Sequence, residues 1–239
     1  MSLKEMIFKR KSVRSFVNAS IGPNSIARIE KFINGIKPLY PDIKVRAEIV
    51  DRESVKCICP WTTKQVVAIF TEDKPGALLN VGFMVQQLDL YLADIGLGAC
   101  WLGMAQWEGE KEREDGLKFV MAMAFGKPKG EGQRDDVLKF KRKNMTEISD
   151  IQDARLVPAR LAPSSVNSQP WYFTHEDDVI HVYCAHKGLL NKSLGSTNQM
   201  DVGIALAHMY VANEETFEFF AVENPAPVKD HTYMGSFRI

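Results

Sequence analysis

Between Leu78 and Ile95 the apolar residues Val81, Val85, Leu88, Leu92 and Ile95 recur at steps of three and four, the spacing of one helix face. Phe83, Met84, Leu90 and Tyr91 fall between them, so this helix is expected to be buried on most of its sides. Such a helix needs cover all round, and a chain of 239 residues is long enough to build it. A second helix is expected from about Gln199 to Ala212. Its small residues Gly203, Ala205 and Ala207 would let another helix approach closely, and Asn198 is placed to cap it, with Asp201 three positions on.

Strand patterns surround these helices. Val45, Ala47 and Ile49 alternate with Arg46 and Glu48, and further strands are expected at Gln65–Phe70, Lys118–Phe125, Trp171–Thr174, Val179–Cys184 and Phe217–Val222. A helix is expected over residues 24–35, after Gly22-Pro23. The glycine-rich stretch Gly96–Gly103 reads as a turn that ends the long helix, and Gly130–Gln133 as an exposed loop. Without a repeating strand–helix–strand unit, the fold class is α+β rather than a doubly wound sheet. Residues 144–155 are the expected linker, dividing the chain into 1–150 and 151–239.

Composition narrows the function classes. Thirty basic residues balance thirty acidic ones, which gives no overall pull towards nucleic acid or an anionic membrane. There is no apolar run long enough for a transmembrane span, and Lys9, Arg10, Lys11 and Arg14 interrupt any secretory signal. Four cysteines do not make a disulfide framework in a chain of this length, so the expected compartment is the cytoplasm.

The neutral total conceals two basic segments. Residues 1–16 hold five cations against Glu5, and residues 127–143 hold seven against Glu131, Asp135 and Asp136. They are either solvated surface or a grip on a small anionic ligand from two sides. Arg10, Ser12 and Arg14 stand two apart, so in an extended segment they project to one side and can clamp a phosphate.

The segment Ala162-Pro163-Ser164-Ser165-Val166-Asn167-Ser168-Gln169-Pro170-Trp171 places three hydroxyls and two amides between rigidifying prolines, with no charge. It is either a turn leading into a strand or a match for a ring edge that alternates acceptor, donor and acceptor, as the pyrimidine edge of an isoalloxazine does. The Gly96-Leu97-Gly98-Ala99-Cys100-Trp101-Leu102-Gly103 stretch lacks the spacing of a dinucleotide-binding loop and follows a helix, which excludes a Rossmann reading.

Together these pieces resemble the nitroreductase family of flavoproteins. The matching parts are Arg10 to Phe16, Gly96 to Gly103, Phe125-Gly126-Lys127-Pro128, Lys141-Arg142-Lys143 and the Pro163–Trp171 segment. The last arrives about 150 residues after the basic opening and after the second basic segment, an order that resembles the divergent Thermotoga-type branch of that family. The resemblance implies a mixed sheet flanked by helices and an FMN site that typical members build between two subunits. Here it implies an intramolecular pseudo-dimer of two related halves, with the phosphate grip in 1–150, the ring-edge segment in 151–239 and one complete FMN site; a homodimer is the other possibility for assembly.

By the same resemblance Arg10 and Ser12, joined by Lys141 or Arg142, hold the FMN phosphate, and Arg14 lies on the N1–O2 side of the ring. Pro163, Ser164, Ser165 and Asn167 contact the ring edge with Gln169 in support, and backbone at Leu102 and Gly103 approaches N5, which carries the hydride chemistry. The implied activity is hydride transfer from NAD(P)H through the flavin to a nitroaromatic, quinone or similar acceptor. A flavin-binding or flavin-sensing protein with little turnover is the alternative, and a scaffold that has lost flavin is a third reading.

Other motifs carry less. Cys57 and Cys59 lack the spacing of a metal site and read as small strand hydrophobes. His175, His181 and His186 have no ligand spacing, and His208 reads as a hydrogen-bonded core histidine. Met121 and Met123 read as core; Trp101, Trp107 and Trp171 as core or pocket wall.

Overall fold

The strand and helix periods of the sequence become two sheets that enclose one pair of central helices. The structure is a computed structural model and describes residues 2–61, 63–109, 113–186 and 195–239. In chain order the first half contains α1 (Leu3–Ile7), α2 (Pro23–Gly35), β1 (Val45–Asp51), β2 (Val55–Lys56), β3 (Gln65–Thr71), α3 (Ala77–Asp94), β4 (Gly98–Leu102), β5 (Gln106–Trp107) and β6 (Lys118–Gly126). The second contains α4 (Met145–Ile148), α5 (Val157–Leu161), β7 (Trp171–Glu176), β8 (Val179–Ala185), α6 (Gly195–Ala212), β9 (Glu218–Phe220) and β10 (His231–Arg238).

Each half forms a four-stranded antiparallel sheet, ordered β1-β3-β6-β4 in the first and β7-β8-β10-β9 in the second. The two orders are the same. In each, a pair of neighbouring strands leads to a long helix, and the two strands after the helix add in reversed order. β3 is buried from Val66 to Thr71, as an inner strand covered on both faces must be.

The two long helices pack against each other at their glycines. A Cβ on Gly82 of α3 would lie 2.0 Å from the carbonyl oxygen of Met200, and a Cβ on Gly203 of α6 would lie 2.0 Å from that of Leu79. The contact is reciprocal: the carbonyl three residues before each glycine faces the glycine of the other helix. The expected close approach at Gly203 is therefore present, and backbone meets backbone there. One core lies between α3, α2 and the first sheet, with Val67, Val85, Leu88 and Met123 inside it. Another lies between α6 and the second sheet around Trp171, Phe173, Val182 and Leu206.

Several local readings are corrected. Gly96 alone of the Gly96–Gly103 stretch has positive φ, and Gly98–Leu102 is an edge strand rather than a turn. Residues 144–155 do not form a loose linker. Asn144 makes a capping box with Glu147, Ile148 and Ser149 are buried, and Ser149 bridges to Phe173. Asn198 lies inside α6, not at its cap, and its Nδ2 donates to the Ala185 carbonyl at 3.3 Å. Cys57 and Cys59 flank a bend and belong to no strand.

Candidate functional site

The opening segment is extended alongside the first sheet. Ser12 bridges in parallel to Ala99 of β4, the Val13 amide donates to the Ala99 carbonyl at 2.9 Å, and Phe16 bridges to Pro128. Arg10 and Ser12 face the same way, with Arg10 Nη2 donating to Ser12 Oγ at 3.2 Å. Arg10 is buried, 1% exposed, and its Nε lies 3.0 Å from Asp89 Oδ2 of α3, an ion pair in distance that is not aligned as a hydrogen bond. Gln86 Nε2 donates to the same carboxylate oxygen at 3.1 Å and lies 3.1 Å from His208 Nε2. His208 Nδ1 completes the series against the Pro158 carbonyl at 3.0 Å. This places the histidine where the sequence reading expected it, hydrogen-bonded in the core. Burial first, and the Arg10 charge second, push its pKa down to about 3.

The second basic segment comes to the same place. Arg134 Nη1 donates to the Arg10 carbonyl, and the guanidinium of Arg134 stands 4.2 Å from the centre of the Phe140 ring. Arg142 lies over the same ring at 5.6 Å. Arg160 of α5 donates through Nε to the Lys143 carbonyl at 2.7 Å. Among the described residues, Arg134, Arg142 and Arg160 have no carboxylate within ion-pair distance. Burial, then the charges of Arg10, Arg134 and Arg160, bring the pKa of Arg142 down to about 10. Burial, then Arg10 and Arg14, lower that of Arg134. Cations crowded together without a counter-charge favour a bound anion.

The Pro163–Gln169 segment meets this group. Arg142 Nη1 donates to Asn167 Oδ1 at 2.7 Å, and Asn167 Nδ2 donates to the Lys141 carbonyl at 2.9 Å. The Lys143 amide donates to Gln169 Oε1 at 2.8 Å, and Lys143 Nζ to the Gln169 carbonyl at 3.0 Å. The segment is held from α6 by buried Asp201, which accepts from the Ser165 amide at 3.0 Å and lies 3.4 Å from Ser168 Oγ. Ser164 Oγ accepts from the Gln169 amide at 2.9 Å. Val166, Asn167 and Gln169 all take positive φ, at 47°, 56° and 48°. For a β-branched residue such as Val166 this is strained, and the surrounding bonds hold the strain in place. Pro163 is buried at the start of the segment.

The remaining predicted residues lie apart from it. Arg14 is exposed, with its guanidinium 5.5 Å from the centre of the Trp61 ring. Leu102 is fully buried with Val13, Phe16 and Val66. Gly103 follows β4 and its carbonyl accepts from Cys57 Sγ at 3.4 Å. Arg14, Leu102 and Gly103 make no hydrogen bond or ion pair to the 163–169 segment. Lys141 is exposed and contributes its carbonyl. Arg134 lines a cleft of about 450 Å³ with Gly96, Leu97, Pro128 and Gln133.

Three contributors were not named by the sequence reading. Arg134 counted only among the seven cations of residues 127–143, and Arg160 was a single cation without a motif. Asp89 did leave a signal, since a carboxylate in a helix buried on most sides needs a buried partner.

The family described as "Putative TM nitroreductase" matches residues 2–213. Among solved structures, that of a Thermotoga maritima protein described as a putative nitroreductase is similar over 99% of this chain and 92% of its own, with a TM-score of 0.67 and 18% identity. A nitroreductase family protein from Clostridium difficile is similar over 62% of this chain and 96% of its own, with a TM-score of 0.50 and 11% identity. No curated protein sequence matches the chain.

Proposed function

The chain belongs to the TM nitroreductase family, and on that premise we propose that it is a cytoplasmic FMN-dependent oxidoreductase that moves electrons from NADH or NADPH to a nitroaromatic, quinone or similar acceptor. The observation that carries the proposal is the 2.7 Å bond from Arg142 to Asn167, because it joins the basic segment of the first half to the uncharged polar segment of the second. The residues fit an FMN. Its phosphate would answer the unpaired cations and the buried Arg142 Nε, which has no hydrogen-bond partner. Arg134, Arg142 and Arg160 would hold that phosphate with Ser12 and Lys141, while Arg10, neutralised by Asp89, supports them from behind.

Pro163, Ser164, Ser165, Asn167 and Gln169 would present donors and acceptors to the ring edge. Arg14 would supply positive charge from the exposed side. When bound, FMN supplies reversible two-electron chemistry between a nicotinamide and an acceptor.

The halves act as a pseudo-dimer with one site per chain. Support comes from their shared strand order, the reciprocal glycine contact and a pair of buried polar residues that each stand two positions before a glycine. Asp201 holds the 163–169 segment. Its counterpart Asn80 accepts from the amides of Leu39 and Tyr40 at 2.8 and 3.1 Å. There the held loop is apolar, and Tyr40 packs edge-on against Phe219 at 5.7 Å, so side chains fill the second position. Nicotinamide and a small acceptor are the proposed partners, with neither nucleic acid nor membrane; among the described residues no helix is long and apolar enough to cross a membrane.

The test is to saturate the protein with FMN, desalt it, record the visible spectrum and add NADH or NADPH without oxygen. Two shifted flavin bands that bleach are expected. Bands that persist would leave a flavin-binding protein without turnover, and a colourless protein would defeat the proposal.

A further inference from the structure

Cys57 and Cys59 stand on either side of a bend at Ile58, which is 77% exposed while both thiols turn towards the protein. The Cys59 amide donates to Cys57 Sγ at 3.4 Å, and Cys57 Sγ donates in turn to the Gly103 carbonyl at 3.4 Å. Both cysteines are half-buried and therefore reachable, whereas Cys100 and Cys184 are only 4% and 6% exposed. Cys59 also lines a cleft of about 500 Å³ with Arg52, Glu53, Trp61 and Lys64, large enough for a small molecule.

The geometry points to a redox-active dithiol at Cys57 and Cys59, which low-molecular-weight disulfides convert to an intramolecular disulfide. The thiols are unequal in a way that assigns their roles. Cys57 sulfur is held between the Cys59 amide and the Gly103 carbonyl at the end of β4, and it is assigned the attack. Burial, together with the hydrogen bond to Cys57, pushes Cys59 up to about 11, so Cys59 remains a protonated thiol until it resolves the intermediate.

Cys57 thiolate attacks one sulfur of the small disulfide; a protein–ligand S–S bond forms, the original S–S bond breaks and one thiolate leaves. Cys59 loses its proton and attacks Cys57 sulfur, forming the Cys57–Cys59 bond and expelling the second thiolate. The two electrons lost by the protein are carried away by two small thiols. Closure removes the S–H that Cys57 gives to Gly103, so the end of β4 registers the oxidation state. This inference does not rest on flavin binding.

The experiment incubates the full-length, FMN-free protein with oxidised glutathione and measures free thiols and mass after denaturation. Of the four cysteines, two should lose their thiols with no glutathione retained. Cys59→Ser should instead keep one glutathione on Cys57, and Cys57→Ser should react with neither outcome. Four surviving thiols in the wild type, or stable glutathione on both cysteines, would overturn the proposal, and the wild-type result stands even if a variant fails to fold.

Discussion

Arg142 and Asn167 are 25 residues apart in sequence and 2.7 Å apart in space, and their bond joins the basic segment after β6 to the uncharged segment before β7. Asn167 also reaches the carbonyl of Lys141, so one amide is bonded to two consecutive residues of the basic segment. Because Arg142 has no carboxylate to neutralise it, this neutral amide is the only side chain that satisfies its guanidinium by a hydrogen bond among the described residues.

If these residues form one FMN site, each should contribute separately. Arg142→Ala removes a charged donor and is expected to weaken FMN about 30- to 160-fold, given about 2–3 kcal/mol for a hydrogen bond to a charged group. Asn167→Ala should cost about fivefold to tenfold. Quenching of FMN fluorescence on titration measures both. Unchanged binding in Asn167→Ala would remove the second half from the site.

The buried Arg10–Asp89 pair should show in stability. Asp89→Asn leaves a guanidinium buried without its counter-charge and is expected to lower unfolding stability by about 3–5 kcal/mol, read from urea denaturation. A loss under 1 kcal/mol would mean that Arg10 finds another partner.

His208 sets a pH dependence. Its folded pKa is about 3 against 6.5 for the free side chain. Above pH 6.5 the ring is neutral in both states and its contribution is fully present. As pH falls towards 3 the unfolded chain takes up a proton that the folded chain refuses, and stability drops by up to about 1.4 kcal/mol per pH unit. Urea midpoints of His208→Gln between pH 6.5 and 4.5 should fall less steeply than those of the wild type. Equal slopes would show that the ring is protonated in the folded protein.

The crossing of the two long helices tolerates no side chain. Gly82→Ala and Gly203→Ala each drive a methyl group into a backbone carbonyl and should destabilise by about 3 kcal/mol or more. Gly35→Ala in α2, where a Cβ meets nothing within 4 Å, should be neutral or stabilising by up to about 1 kcal/mol. Thermal unfolding of the three variants separates contact from helix propensity.

Much of this architecture was legible because the signals were long. α3 follows from apolar spacing over many residues, and α6 announced its close contact through the small residues Gly203, Ala205 and Ala207. β4 was hidden because Gly98 reads as a turn residue. Its absent side chain serves another purpose, since a Cβ there would lie 2.4 Å from Val13 Cγ2 of the opening segment. β10 escaped notice because Gly235 and a bulge break its alternation, and β2 and β5 are two residues each. At the candidate site, the polar segment and Arg142 were visible as motifs. Arg134 was visible only as one of the seven cations of residues 127–143, and Asp89 and Arg160 were not, because what makes them part of the site is distance across the fold, and a sequence pattern records only spacing along the chain.

The measurement that tests the central claim most directly is calorimetric titration of the FMN-free protein with FMN, with the chain concentration fixed by absorbance. One FMN per chain is predicted, with affinity weakened about 30-fold or more in Arg142→Ala. No binding, or two equivalent FMN molecules per chain, would contradict a single site shared between the halves.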